Sequence, residues 1–290
     1  MTRLEGERER PSVRSGLAFA LLASSALATV GCAGGSPLLH PARTLPAGDV
    51  RAAGGVSANV VVGSLSDDLR TARTLAERDP SGATTPGAPG TNPDYAKGAL
   101  VLANVAPGLA PVVGARVGLG NAFEGGLAYT GRGVRADARR SFDDGAWSLS
   151  LGLGGTAVLY GRQQGSELPN VDLGALHGFG ADVPVLGGWE SDGGLYKIWF
   201  GARAGFERGV VETLSTEPKA ETLATPPIRL EAMRWYGGPL LGIATGFRHV
   251  HVALEIAATY NSVNGTYNGT NATVSGLALT PATALLWTFD

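Results

Sequence analysis

The sequence predicts an all-β fold, an antiparallel meander of about ten strands (8–12) closed into a barrel. Three observations support this. Apolar and polar residues alternate with a period of two along most of the chain after residue 48, long and short connections alternate, and charges gather on one face of several strands. A period of two is typical of β-strands rather than helices.

Residues 122–140 show the alternation most clearly. Their apolar and charged side chains fall on opposite faces, Phe123, Leu127, Tyr129, Val134, Ala136 and Ala138 against Glu124, Arg135, Asp137 and Arg139. The glycines of the intervening Tyr-Thr-Gly-Arg-Gly suit a tight reversal, so the segment predicts a β-hairpin. The apolar face of this hairpin fits two folds. It could pack on the core of a soluble protein, or it could face lipid on the outside of a membrane barrel with a hydrated interior.

Residues 1–31 have the form of a signal peptide, with a charged opening segment and then the uncharged stretch Leu17–Val30. That stretch is too short for a spanning helix. It ends at Gly31 and Cys32, and Cys32 is the only cysteine in the chain. Thr29-Val30-Gly31-Cys32 resembles the lipobox of bacterial lipoproteins, with Thr29 where that family prefers Leu. The resemblance implies cleavage before Cys32, its acylation with chains such as palmitate, and outer-membrane retention, since Ala33 follows rather than Asp.

The next segments set the boundaries of the barrel. Residues 32–47 are small, Pro-rich and aperiodic, which predicts a flexible tether. Strand alternation begins at Val50, and residues 48–289 are assigned to the barrel. Residues 63–109 form one long excursion, with a helix that starts at Ser64 and a low-complexity, disordered segment over 79–94.

From residue 112 onward, amphipathic strands follow one another with connections of two kinds. Long loops are predicted at 161–174, 212–227 and 262–273, and short turns at Asn121, 143–144, 187–194 and 248–249. Membrane barrels alternate long outside loops with short inside turns in this way. The pattern places both ends of the barrel on the side of the short turns.

The charged face of the strands favours a membrane barrel over a soluble sheet. An Arg or Lys that faces lipid at mid-bilayer costs about 2–4 kcal/mol, so these side chains are expected to point into a wet lumen. The predicted polar network of that lumen comprises Arg116, Glu124, Arg132, Arg135, Asp137, Arg139, Arg203, Glu207 and Glu255.

The last strand carries a second resemblance. Leu285, Trp287 and Phe289 alternate with other residues up to Asp290. This pattern resembles the C-terminal strand of small outer-membrane β-barrel proteins, from which it departs by the extra Asp290. The resemblance covers about residues 48–289 and implies the outer membrane of a Gram-negative bacterium. Together with the lipobox resemblance, it implies a barrel that is lipid-anchored there.

The sequence offers little sign of catalysis. His249 and His251 share a predicted strand face with Glu255, a weak metal site without an identifiable further ligand. We therefore expect no catalytic residues, no metal and no cofactor. A net charge of −2 gives no electrostatic case for nucleic acid.

The resulting hypothesis is a lipid-anchored, non-enzymatic outer-membrane barrel that is structural, forms a narrow channel or presents loops to a partner. Its partners would be membrane lipid and an envelope protein. Two alternatives stay open. One is a periplasmic lipoprotein whose soluble β-sandwich or barrel binds a partner or a small ligand, and the other is a membrane-embedded, lipid-modifying enzyme.

Overall fold

The computed structural model describes residues 35–78, 92–159, 168, 171, 173–212 and 229–289. Its strands are β1 (Val50–Val62), β2 (Gly108–Gly120), β3 (Phe123–Tyr129), β4 (Gly133–Asp144), β5 (Trp147–Val158), β6 (Leu176–Glu190), β7 (Tyr196–Glu212), β8 (Arg229–Phe247), β9 (Val250–Tyr267) and β10 (Thr270–Phe289). Its helices are α1 (Ser64–Arg78) and α2 (Pro93–Leu100), and α2 continues into the π-helical turn Val101–Val105.

The ten strands form a closed barrel. Each strand pairs antiparallel with its neighbours in sequence, and β1 pairs with β10 to complete the ring. The closing register joins Val50 to Phe289 and Val62 to Leu277. The predicted antiparallel meander of about ten strands is confirmed, as is the tight reversal between β3 and β4.

The two faces of the barrel wall differ in chemistry. On β4, Arg135 and Arg139 are buried, whereas Ala136 and Ala138 are exposed on the outside. The same alternation runs along the other strands, so the outer face carries exposed Val, Leu, Ile and aromatic side chains. Charges that face outward on these strands lie only near strand ends, at Arg140, Asp144, Arg208, Glu212, Arg229 and Glu231.

Aromatic side chains mark two levels of the outer face. Near the short turns lie Phe123, Trp147, Tyr196, Phe247, Trp287 and Phe289, and toward the other end lie Tyr129, Phe179, Phe206, Trp235 and Tyr260. Trp235 and Phe247 lie twelve residues apart on β8. That separation is about 40 Å along a strand, or about 28 Å of height at a tilt near 45°. The outer face between the two levels is apolar.

The long excursion between β1 and β2 closes one end of the barrel. We call α1, α2 and the turn Val101–Val105 the cap, and its start at Ser64 agrees with the predicted helix. Leu65 and Leu69 of α1 and Leu100 of α2 join one apolar cluster with Val263 and Tyr267 of β9. No helix among the described residues is long and apolar enough to cross a membrane.

Residues 35–47 occupy the barrel interior at the opposite end. The sequence predicted a flexible tether over 32–47, and that prediction is wrong for the described part of the segment. Leu39, His40 and Ala42 are almost completely buried, because strand side chains bind the backbone around them. We call residues 35–47 the plug.

The predicted loop over 262–273 is also wrong. β9 runs to Tyr267 and β10 starts at Thr270, so only Asn268 and Gly269 make the turn. The Asn, Gly and Thr residues that suggested a loop pair with β8 and with each other's strands. The predicted turn over 187–194 begins later than expected, because β6 continues to Glu190.

Several predictions fall wholly or mostly outside the described residues. They are the signal peptide 1–31, the lipidation site Cys32, the disordered segment 79–94 and the loops 161–174 and 212–227.

Candidate functional site

The inner wall carries a continuous chain of ion pairs across five strands. In order of contact the members are Arg139, Glu124, Arg116, Asp137, Arg135, Asp182 and Arg203. The Arg139 Nη2 to Glu124 Oε2 distance is 2.9 Å, and Arg135 Nη2 lies 2.8 Å from Asp182 Oδ1. Each of the three carboxylates in this series of ion pairs, on Glu124, Asp137 and Asp182, contacts two arginines. Their charges are therefore neutralised away from bulk water.

Strand register and small residues bring these charges together. Glu124 and Arg139 are direct cross-strand partners on β3 and β4. Gly126 lies beside Arg116 and Asp137, and a Cβ there would come within 2.6 Å of Arg116 Nη1. A Cβ on Gly154 would lie 2.4 Å from Arg135 Nη2. Interior glycines therefore leave the room that the guanidinium groups fill.

Two carboxylates of the wall hold backbone N–H groups of the plug. Leu38 N and Leu39 N donate to the two oxygens of Glu255, each at 2.8 Å. Trp199 Nε1 donates to Glu255 Oε2 at 2.9 Å. Leu45 N donates to Glu124 Oε2 at 2.8 Å. Hydrogen bonds to an ionised acceptor are stronger than neutral ones, so these contacts fix the plug at two levels.

Arginines of the wall hold plug carbonyl groups in the same way. Arg139 donates to the carbonyl oxygens of Pro41, Ala42 and Arg43, the last two at 3.2 Å. Arg203 donates to the carbonyl oxygen of Ser36. The two ends of the ion-pair chain thus extend into the plug backbone.

Apolar packing adds to these polar contacts. Leu38, Leu39 and Ala42 of the plug cluster with buried side chains of the wall, which are Val112, Leu186, Trp199, Leu240, Ala244, Ala253, Ala282, Ala284 and Leu286. Glycines again make space, because a Cβ on Gly118 would lie 1.8 Å from the Pro46 carbonyl oxygen. The plug therefore fills the short-turn half of the lumen and packs closely against its wall.

A further set of polar side chains on the inner wall binds the cap. Arg132 Nη1 donates to the Ala103 carbonyl oxygen at 2.9 Å and its other terminal nitrogen contacts Glu207. Arg234 Nη1 donates to the Asn104 carbonyl oxygen at 3.0 Å. Asn59 donates to the carbonyl oxygen of Val105. Both bodies inside the lumen are thus bound through their main chains.

A small cavity remains between the plug and the wall side chains that hold the cap, Asn59, Arg132 and Arg234. Its volume is about 70 Å³, and Ser36, Arg203, Glu207, Tyr236 and Thr280 are among the residues that line it. This volume holds a few water molecules and no organic ligand of ordinary size. Among the described residues, the plug and the side chains that hold the cap therefore leave little space between them.

The structure places all nine residues of the predicted network inside the barrel. Arg116, Glu124, Arg135, Asp137, Arg139 and Arg203 belong to the ion-pair chain, whereas Arg132 pairs with Glu207 beneath the cap. Glu255 stands apart from them and holds the plug. The predicted network did not include Asp182, which links two arginines, or Arg234. The period-two alternation of the sequence on β6 and β8 indicates that both side chains face the lumen.

The weak metal candidates do not come together. His251 Nε2 lies 2.7 Å from the Gly194 carbonyl oxygen, His249 is in the turn before β9, and Glu255 is occupied by the plug. Among the residues that the structure describes, no group of three His, Cys, Asp or Glu side chains could hold a metal ion.

No protein-family model matches this chain, and no curated protein matches it. The CymD monoaromatic hydrocarbon channel aligns at 8% identity over 85% of this chain and 90% of its own, with a TM-score of 0.26. An anion-selective porin from Comamonas acidovorans aligns at 11% identity over 83% of this chain and 74% of its own, with a TM-score of 0.22.

The translocator domain of the autotransporter NalP from Neisseria meningitidis aligns at 10% identity over 95% of this chain and 98% of its own, with a TM-score of 0.27. Likenesses at this level carry no argument about what the present chain does.

We predict that Arg139→Ala lowers the free energy of unfolding by about 3–5 kcal/mol, because Glu124 and three plug carbonyls lose a buried partner. Urea unfolding in detergent micelles, followed by tryptophan fluorescence, measures the change. Arg208→Ala is the matched control. Arg208 and Glu231 pair at the surface with side chains 43% exposed, so that change costs about 0–1 kcal/mol. Equal losses for the two variants would contradict a stabilising role of the network.

Proposed function

We propose that this chain is a transmembrane β-barrel of a Gram-negative outer membrane that acts without catalysis as a closed channel, plugged by its own residues 35–47. The observation that carries the proposal is the polarity of the barrel wall. Charges are buried inside in mutual ion pairs, while the outer face between the aromatic levels is apolar.

The outer face supports insertion into a bilayer. Its apolar height of about 28 Å is close to the band of about 25 Å found on outer-membrane barrels. Aromatic side chains at both levels match the interfacial girdles of such proteins. Arg140 lies at the short-turn level, with its guanidinium 5.3 Å from the ring centre of Phe123 and 5.1 Å from that of Phe142. A cation at that level keeps contact with water and headgroups.

The interior supports a non-catalytic role. The carboxylate oxygens of the interior accept hydrogen bonds from arginines or from plug N–H groups, at Glu124, Asp137, Asp182 and Glu255. A general acid or base needs a free position for the reacting group. These carboxylates instead hold the lumen closed, which favours a channel or a structural barrel over the lipid-modifying enzyme.

We predict that the barrel is embedded in lipid. The folded protein, mixed with mild detergent and kept unheated, should migrate faster on a gel than the same protein after boiling. In a Cys32→Ser background, Ala136→Cys should react with a bilayer-confined maleimide, whereas Ser150→Cys, which is buried on the inner face, should not. Release of the Cys32→Ser protein into the soluble fraction at high pH would favour the periplasmic lipoprotein instead.

We predict that weakening the plug contacts opens the lumen. Glu255→Gln places an amide where two plug N–H groups need acceptors, so brief conducting events in planar bilayers should become about tenfold more frequent than in the parent protein, which matches a loss of about 1.4 kcal/mol. Glu231→Gln removes the same charge from the outer face and should leave conductance unchanged. Failure of the Glu255→Gln and Glu124→Gln double variant to conduct would favour a purely structural barrel.

Lipid anchoring at Cys32 is part of the proposal and sets a condition on the plug. Gly35 is three residues from Cys32, and its carbonyl oxygen accepts a hydrogen bond from Ser57 Oγ inside the barrel at 3.3 Å. Three residues span at most about 11 Å. Acyl chains on Cys32 that enter the bilayer would therefore compete with full seating of residues 35–47.

We predict that the protein incorporates a palmitate analogue during growth and that Cys32→Ser abolishes the incorporation. Click labelling of the immunopurified protein provides the measurement. Because the anchor competes with the plug, Cys32→Ser should also reduce any spontaneous conductance of the parent protein. Palmitate incorporation that persists in Cys32→Ser would disprove acylation at this position.

A further inference from the structure

The short-turn end of the lumen contains a second cavity, which we call the mouth. Its volume is about 490 Å³, and it lies between residues 41–46 of the plug and the short-turn ends of β1, β6, β7, β9 and β10. The mouth is separate from the contacts that hold the plug at Glu255. Because residues 41–46 of the plug form part of its lining, the site requires the plug to be seated as in this structure.

The lining of the mouth is rich in cations. Four of its side chains carry a positive charge, Arg43, Arg51, Lys197 and Arg248, and two carry a negative charge, Asp49 and Glu190. Lys197 and Glu190 neutralise each other, with Nζ 2.7 Å from Oε1. The rest of the lining therefore keeps an excess of positive charge, with His249 and His251 beside it as further nitrogen groups.

Arg51 distinguishes the mouth from an ordinary charged surface. It is only 7% exposed. Its Nε donates to Thr288 Oγ1 at 3.3 Å, but its Nη1 has no hydrogen-bond partner among the described residues. A buried donor of a charged group that lacks an acceptor is costly.

Arg43 lies on the plug side of the mouth and its side chain is about one third exposed. Its Nη2 donates to the Gly145 carbonyl oxygen, whereas its Nε lacks a hydrogen-bond acceptor within the described structure and forms a long ion pair of 3.9 Å with Asp143 Oδ1. The arginines deeper in the lumen have acceptors for their N–H groups. Arg135 and Arg139 donate to carboxylates, and Arg139 also donates to plug carbonyl oxygens. The mouth thus has two guanidinium groups whose donors exceed the acceptors nearby.

We propose that the mouth binds an oxyanion of the phosphate class, held by Arg51 and Arg43. The planar guanidinium fork matches the oxygens of phosphate and supplies strong, charge-assisted hydrogen bonds. The volume leaves room for a small organic group on the phosphate. The same chemistry occurs in a soluble phosphomonoester and in an anionic lipid headgroup, and the experiment separates these two sources.

The test measures binding of inorganic phosphate and glycerol 3-phosphate to the purified full chain in zwitterionic detergent by isothermal titration calorimetry. Saturable binding is expected, and Arg51→Gln should weaken it about tenfold or more, because a charge-assisted hydrogen bond contributes about 1.5–3 kcal/mol. Arg140→Gln removes the same charge from the outer face at the same end of the barrel and should leave the affinity unchanged. Heat-modifiable migration checks that each variant is folded, and Arg43→Gln replaces Arg51→Gln if the latter fails to fold.

A second arm identifies the source of the anion. Nanodiscs that contain phosphatidylglycerol are titrated with inorganic phosphate and compared with nanodiscs of phosphatidylcholine alone. Loss of phosphate binding in the phosphatidylglycerol nanodiscs, with binding kept in the phosphatidylcholine nanodiscs, assigns a lipid headgroup to the mouth, whereas equal binding in both assigns a soluble ligand. Absence of saturable binding in detergent and in both nanodiscs, or equal affinity of parent and Arg51→Gln protein, would overturn the proposal.

Discussion

The contact between Arg139 and Glu124 is the interaction on which the rest of the interior depends. The two residues are cross-strand partners on β3 and β4, and both also bind the plug, Glu124 through Leu45 N and Arg139 through three carbonyl oxygens. A charge inside a closed wall cannot reach bulk water, so it must find a partner within the lumen. The wall and the plug meet that need together, and neither is complete alone.

The same constraint explains how composition serves the fold. Small residues at Gly126, Gly154 and Gly118 leave room for guanidinium groups or for the plug backbone. A larger side chain at Gly126 or Gly154 would displace a charged group from its partner, and one at Gly118 would displace the plug backbone at Pro46. The 44 glycines of the chain thus include several that shape the interior, in addition to those that make turns.

The sequence predicted the wall far better than its contents. Period-two alternation is a local property, so the faces of Arg135 and Ala136 follow from their neighbours. The plug could not be found this way. Its Pro-rich stretch has no periodicity, and its acceptors Glu255 and Glu124 lie 217 and 79 residues from the donors Leu38 and Leu45. One signal was present once the register was known. Glu255 stands between Gly242 and Ala282, with no basic neighbour across either strand pair, and so requires a donor from elsewhere.

The connection between plug and β1 has a consequence for the order of assembly. The plug precedes the first strand, but Glu255 belongs to β9 and the ring closes only when β10 pairs with β1. The backbone N–H groups of Leu38 and Leu39 can therefore bind the Glu255 carboxylate only after nearly the whole chain has been synthesised. Insertion of the N-terminal segment and closure of the β1–β10 seam become coupled late events in biogenesis. A chain that stalls before β9 has neither a complete wall nor the group that holds its own plug.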